Sequence, residues 1–242
     1  MKINCFKFTI VFWAVAITGM SMVTPGFGQD ADALLQKVDF IRGPGSDFTF
    51  DLKIITSDGT EQELEVSILD TSKGLVRYVR PVKVAGRAIL FVEQNMWIYV
   101  PGTRRALRIS PQQRILGGVS NADVARTAYS ADYKVNELIE IDGNIILILA
   151  PITQSSAYQR IDLMIKPSGS PVMATFLTKS GRKIKTMYFE GYRDVLGVTR
   201  PTKFRIIDHL NNDTLTTMIY SNYTVTKTPA SWYQPSNLSR LR

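Results

Sequence analysis

Residues 48–68 read FTFDLKIITSDGTEQELEVSI, and the fold follows from how this stretch alternates. Phe48, Phe50, Leu52 and Ile54 are separated by Thr49, Asp51 and Lys53, the period of a strand with one buried face. Ser57-Asp58-Gly59-Thr60 is a turn, and Leu64, Val66 and Ile68 alternate with Glu63, Glu65 and Ser67 on the return. The two strands are therefore expected to pair antiparallel, with seven apolar side chains on one side.

Outward from this hairpin the same grammar repeats. Strands are predicted at Leu75 to Arg80, Ala88 to Glu93, Met96 to Val100, Tyr133 to Ile141 and Ile145 to Ala150. More follow at Arg160 to Lys166, Val172 to Thr178, Lys183 to Glu190, Phe204 to His209 and Thr214 to Val225, with turns such as Asp142-Gly143-Asn144 between them. About a dozen strands are too many for a flat sheet, so it should curl into a barrel or half-barrel. Three segments break the pattern. Leu34, Leu35, Val38 and Ile41 recur at helical spacing, predicting a helix over Asp30 to Ile41 that Gly43-Pro44-Gly45 ends. Ser110 to Gly118 reads as a loop, and Asn121 to Tyr129 as a short helix capped by Ser120. This insertion is either a mobile lid over the sheet or a fixed plug in its core.

The N-terminus has a different grammar. Lys2 and Lys7 precede an apolar run from Phe8 to Met22, and Gly26-Phe27-Gly28 supplies small residues for a signal peptidase. Residues 1–28 are read as a cleaved signal peptide, with a single mature domain over 29–242 and a soluble periplasmic product. Losing Lys2 and Lys7 lowers the formal charge from +8 to +6, a balance that favours anionic partners. No aromatic-interleaved nucleic-acid motif is present, so nucleic acid is not expected as a partner. The one cysteine, Cys5, leaves with the leader, which excludes disulfides and thiolate metal sites in the mature chain.

Catalysis finds little support. His209 is the only histidine, which excludes an H-E-x-x-H zinc site, and no G-x-S-x-G elbow occurs. Carboxylates are scattered through turns and polar strand faces. No cofactor or metal is expected, and a lipid hydrolase using His209 is only a remote alternative. Ile145 to Leu149 and Ile89 to Val92 are instead apolar on both faces, which suits contact with core on one side and a helix or ligand on the other.

Residues 96–109, MWIYVPGTRRALRI, place an apolar run against a Pro101-Gly102 turn and a strand carrying arginines. Trp97-Ile98-Tyr99-Val100-Pro101, Arg104-Arg105, Arg108-Ile109, Leu116-Gly117-Gly118 and Asn121-Ala122-Asp123 together resemble the core motif of the LolA-like family of outer-membrane lipoprotein-sorting proteins. The closest likeness is to the branch found with large hydrophobic-efflux transporters. It extends to Gly191-Tyr192, Pro201-Thr202-Lys203 and Trp232-Tyr233. One departure stands out: Gly118-Val119-Ser120 replaces the Gly-Ser-Asp type sequence usual after the loop.

The resemblance implies an α+β, mainly β fold: a strongly curved antiparallel sheet forming an open half-barrel, with a few helices over its concave face and an apolar cavity between. It implies a carrier of lipid or lipoprotein acyl chains and no enzyme activity, with an inner-membrane transporter and an outer-membrane acceptor as partners. A monomer is expected. The alternative is a binding module that docks on a transporter without shuttling cargo. Burial of an acyl chain contributes about 0.8 kcal/mol per methylene, so such a site needs area rather than catalytic groups. Phe48, Phe50, Leu52, Ile54, Leu64, Val66, Ile68, Trp97 and Tyr99 are the candidate cavity wall. Arg104, Arg105 and Arg108 are the candidate contacts to a headgroup or lid carbonyl, since guanidinium forks suit both.

Overall fold

The structure, a computed structural model, describes residues 26–125, 128–154 and 156–240. The expected leader falls almost wholly outside these residues. The first helix, α1 (Gly26–Arg42), buries Ala31, Leu35, Val38 and Ile41 along one face. It stops where the sequence changes to glycine and proline: the Gly43 N–H donates to the Asp39 carbonyl, and Gly45 takes a φ of 93°.

Six strands follow: β1 (Phe48–Thr56), β2 (Glu61–Asp70), β3 (Lys73–Arg80), β4 (Ala88–Val92), β5 (Asn95–Tyr99) and β6 (Leu107–Ile109). A small two-stranded piece, β7 (Arg114–Leu116) with β8 (Val119–Ser120), leads into a one-turn helix, α2 (Asn121–Ala125). The predicted loop thus contains a strand of its own, and α2 covers only the first part of the predicted helix. Seven longer strands complete the chain: β9 (Tyr133–Ile141), β10 (Asn144–Pro151), β11 (Arg160–Ile165), β12 (Pro171–Leu177), β13 (Lys183–Val195), β14 (Val198–Asp208) and β15 (Thr214–Val225). Two 3-10 helices, Ala230–Tyr233 and Pro235–Arg240, end the described chain.

Thirteen of these strands form one antiparallel sheet in the order β6-β5-β4-β3-β2-β1-β15-β14-β13-β12-β11-β10-β9. Every neighbour is a hairpin partner except β1 with β15, which joins the two meanders where Leu52 faces Tyr220 and Ile54 faces Met218. The outermost strands, β6 and β9, do not pair with each other, so the sheet curls without closing into a barrel. This is the open half-barrel that the sequence resemblance implies.

Register places the apolar residues of successive strands side by side. Phe48 lies opposite Ile68, Phe50 opposite Val66, and Leu52 opposite Leu64; Val66 then faces Val76, and Val76 faces Ile89. These side chains form the concave face, where they meet Leu35 and Val38 of α1 and Val124 of α2 in a single apolar cluster. One glycine is required there. A β-carbon on Gly74 of β3 would lie 2.1 Å from Phe91 Cε1 and 2.9 Å from Ile68 Cδ1, so the Phe91 ring fills the space that a side chain would need.

The opposite, convex face carries one covered apolar patch. Leu75, Ala88 and Leu90 are buried there against Tyr233 and Leu238 from the two 3-10 helices, with Trp97, Tyr99 and Trp232 packed around them. The C-terminus therefore covers the outside of the sheet at β3 to β5, while α1 and α2 cover the inside.

Candidate functional site

The concave face is the part of the molecule with the area and chemistry to hold an apolar ligand. Its β1 and β2 wall is Phe48, Phe50, Leu52, Ile54, Leu64, Val66 and Ile68, all at most 2% exposed and all in the same cluster. The structure separates Trp97 and Tyr99 from them. Both belong to the convex patch under the C-terminal 3-10 helices, because alternation along β5 turns Met96 and Ile98 inward and Trp97 outward. Arg108 lies opposite Trp97 on β6, so it too is on the outer face, with its guanidinium donating to Asn95 Oδ1. Arg104 and Arg105 sit exposed in the turn between β5 and β6. The sequence-predicted wall and the sequence-predicted arginines are thus not one site.

Aromatic rings continue the wall across the sheet. Phe50 and Tyr220 have centroids 5.3 Å apart, Tyr220 and Phe204 4.6 Å, and Phe204 and Phe189 5.0 Å. Arg42, the last residue of α1, lies over this row: its Cζ is 3.9 Å from the centre of the Tyr129 ring and 5.8 Å from that of Phe189. A guanidinium in such a place is weakly hydrated and stabilised by the ring quadrupoles.

The segment that covers the wall, from β7 to the start of β9, is fastened by polar groups at separate points. Asp39 of α1 accepts the backbone N–H groups of Tyr129 and Ser130 at 2.7 and 2.8 Å, and its carboxyl is pushed above the usual carboxylate range by burial, against the pull of Arg42 and these hydrogen bonds. Burial likewise pushes the Tyr129 hydroxyl up to about 12. At α2, Ser120 and Asp123 form a capping box: the Ser120 N–H donates to Asp123 Oδ2 at 2.7 Å, while the Asp123 N–H faces Ser120 Oγ at 3.4 Å. The same Asp123 Oδ2 pairs with Lys185 of β13, whose Nζ also donates to the Gly118 carbonyl at 3.3 Å. The Tyr158 hydroxyl donates to Asp123 Oδ1 at 3.1 Å. Desolvation holds the Lys185 ammonium below the usual lysine range although the Asp123 charge opposes it. Farther along, Arg114 Nη1 lies 2.6 Å from Asp208 Oδ2, and the Gly118 N–H donates to Thr216 Oγ1 at 3.0 Å.

With these ties in place the site is closed. A void of about 20 Å³ is left among Arg42, Tyr129, Tyr133, Tyr158, Phe176 and Met187, room for roughly one water and for no acyl chain. The covering segment fills the half-barrel itself. Sequence reasoning missed Arg42, Asp39 and Lys185, polar residues whose partners Tyr129 and Asp123 lie far from them in the chain. The Ser120-x-x-Asp123 spacing was the one local signal.

His209 accepts or donates between Thr186 Oγ1 at 2.9 Å and Asp213 Oδ1 at 2.5 Å, a hydroxyl, imidazole and carboxylate in series. Thr186 alternates with Lys185 and Met187 and so lies on the outer face, with Asp213 in the exposed turn before β15. No group of histidine, cysteine, aspartate or glutamate suited to a metal ion occurs among the described residues.

Comparison with known proteins agrees with this architecture. A family model described as "uncharacterized protein" matches residues 70–240. A LolA superfamily protein from Nitrosomonas europaea is 28% identical, with a TM-score of 0.77 over 84% of this chain and 97% of that one. A putative outer membrane lipoprotein-sorting protein domain from Vibrio parahaemolyticus is 17% identical, with a TM-score of 0.71 over 88% and 100% of the two chains. A DUF1329 family protein from Desulfovibrio piger, also 17% identical, has the same fold at a TM-score of 0.70 over 87% and 98%. No curated protein matches the sequence.

Proposed function

The chain belongs to the family whose model matches residues 70–240 and has the LolA-like fold, and from that premise we propose that it is an exported carrier that takes acyl chains of lipids or lipoproteins onto its concave face. The observation that carries this reading is the way the face is covered. A continuous apolar wall is closed by a segment held through Asp39, Arg42 and the Lys185–Asp123 pair. Buried ion pairs contribute little net stability compared with apolar packing, but they do define discrete arrangements. A cover held this way can leave as a unit, exposing Phe48, Phe50, Leu52, Ile54, Leu64, Val66 and Ile68 to a ligand of similar polarity.

Opening exposes apolar surface, and the acyl chain covers it again. About a dozen methylenes at about 0.8 kcal/mol each offset the cost of immobilising the ligand and releasing the cover. On this reading the chemistry of the site is binding and release. Export places the protein in the periplasm, with residues 1–28 removed and residues 29–242 as one domain. An inner-membrane transporter and an outer-membrane acceptor are the partners such a carrier requires.

Protein purified from the periplasm and extracted with organic solvent should yield stoichiometric lipid by mass spectrometry, and a fluorescent fatty acid should displace it. Extracts free of lipid, together with no fatty-acid binding by the folded protein, would reject the carrier. Fatty-acid binding without transfer to acceptor vesicles would favour the second reading, a module that docks on a transporter and keeps its ligand.

A further inference from the structure

Near the tip of the β13–β14 hairpin two arginines face each other. Register places Arg193 of β13 directly opposite Arg200 of β14, and partners of this kind share one face of the sheet with β-carbons about 5 Å apart. That face is the concave one, because steps of two lead from Phe189 to Arg193 and from Phe204 to Arg200. Arg200 is only 2% exposed, with its Nη1 donating to the carbonyl of Phe40 in α1 and its Nε to that of Val195 at 3.3 Å. Arg193 is exposed.

No carboxylate answers either one. Among the described residues, the buried cation Lys185 is paired with Asp123 and Arg42 with Asp39 at 3.9 Å, whereas Arg200 and Arg193 form no ion pair. Asp194, next to Arg193 in sequence, lies on the other face and accepts the Gly197 N–H at 3.3 Å. Desolvation pulls the Arg200 guanidinium below the usual arginine range. Like charges directly opposite on paired strands repel, and a buried charge without a counter-ion is costly, so one anion between the two guanidinium groups removes both penalties. The ring over Arg200 Cζ, at 5.2 Å, is that of Phe40, itself 56% exposed, so the cover on that side is one side chain thick. On the inner side the Tyr223 hydroxyl feels the charge of both Arg200 and Arg42, and its ring stacks on Phe50 at 5.3 Å and on Phe48 at 6.4 Å. The arginine pair therefore adjoins the end of the apolar wall.

We propose that Arg193 and Arg200 hold the phosphate or carboxylate of an anionic amphiphile whose chain continues past Tyr223 onto Phe48 and Phe50. The inference rests on the carrier reading for the chain and on the arginine pair for the acid group. Guanidinium forks match the oxygens of such groups and bind them through charge-assisted hydrogen bonds. Exposed Arg193 marks the way in. Arg200, fixed by two backbone carbonyls, is a donor already in place when the ligand arrives, so little ordering is left to offset. The ligand is thereby oriented, with its acid group at the hairpin tip and its chain directed inward.

Calorimetric titration of the mature protein with three probes separates the parts of such a ligand: decanol is the chain alone, inorganic phosphate the acid alone, and decyl phosphate both together. Decyl phosphate should bind at least about tenfold more tightly than decanol, and inorganic phosphate only weakly. Arg193→Gln, at an exposed position where the fold is not at risk, should lower decyl phosphate affinity by about tenfold and leave decanol binding unchanged. Lys183→Gln removes the same charge at the other end of β13 and should change neither. Equal affinity for the two decyl compounds, an undiminished preference in Arg193→Gln, or the same loss in Lys183→Gln overturns the arginine site while leaving the carrier intact. Inorganic phosphate bound as tightly as decyl phosphate also overturns it, and makes free phosphate the ligand of the pair. Binding of neither decyl compound by the folded protein rejects the carrier reading itself, and the headgroup site with it.

Discussion

Lys185 and Asp123 form an ion pair with side chains only 3% and 2% exposed, joining the start of β13 to α2 across 62 positions of sequence. The pair fastens cover to sheet. Removing one partner leaves a buried charge uncompensated, so Lys185→Met is expected to lower stability by about 3–5 kcal/mol. The double variant Lys185→Met/Asp123→Asn removes both charges while keeping an acceptor for Ser120 and Tyr158, and should recover most of that loss. If the pair acts as a latch, the double variant should also take up a fluorescent fatty acid at a changed rate while keeping its fold. Urea titration and stopped-flow uptake measure the two effects separately.

Gly74 supports the concave face in a different way. Gly74→Ala drives a methyl group into the Phe91 ring, and overpacking of this kind costs about 1–3 kcal/mol. Phe91→Leu alone should also destabilise, by leaving unfilled space. Together they should cost less than the sum of the two, and a double-mutant cycle in urea measures that coupling.

Much of this architecture was legible because strand periodicity is local. Phe48 to Ile68 fixed a hairpin whose observed register pairs Phe50 with Val66 and Leu52 with Leu64. The β13–β14 hairpin was read too short. Pro201 argues against a strand, yet it lies within β14 opposite Tyr192, and the pairing runs on to Val195 and Val198. The side to which Trp97 points follows from alternation, but what covers that side is supplied by Tyr233 and Leu238, more than 130 residues away. Asp39, Arg42 and Lys185 had no local signature, since each looks like a solvated charge until the fold brings its partners to it.

The separation of Trp97 from the cavity wall is open to direct test. Leu238 is fully buried over the convex patch, and Leu238→Ala should cost about 2–5 kcal/mol if the 3-10 helices stay docked. Trp97 should then become more exposed and its emission move to the red. Fatty-acid affinity should be unchanged in the folded variant, because the concave face lies on the other side of the sheet. A parallel loss of affinity would place Trp97 at the ligand after all.

Asp39 gives the closed cover a pH dependence with a definite sign. Burial raises its carboxyl above the usual aspartate range in the folded chain, so folded protein binds a proton at a pH where the unfolded chain does not. That contribution is fully present below the unfolded pKa and is lost as the pH rises through the raised folded one. Compared with Asp39→Asn, which does not titrate, the wild-type protein should therefore gain stability as the pH is lowered from neutral towards 4. Urea midpoints of the two proteins across this range measure the difference. A gap that is constant with pH, or that moves against the wild type on acidification, would show that the hydrogen bonds from Tyr129 and Ser130 outweigh burial at this carboxyl.

Met187 tests whether space alone limits binding. It lines the small void with Phe176 and Tyr158, and its side chain is 1% exposed. Met187→Ala should cost about 2–5 kcal/mol through lost packing and a residual cavity. The enlarged cavity gains an apolar wall at Ile161 and Phe176 that can take an apolar guest, as buried cavities made by large-to-small substitution do. Fatty-acid affinity should then rise although stability falls, and added fatty acid should restore the thermal midpoint in proportion to its concentration. The opposite movement of the two quantities is the informative result, because a merely damaged fold would lose both. If affinity falls with stability, the ligand does not enter between the aromatic row and the cover, and the wall at Phe48 to Ile68 is packing rather than a site.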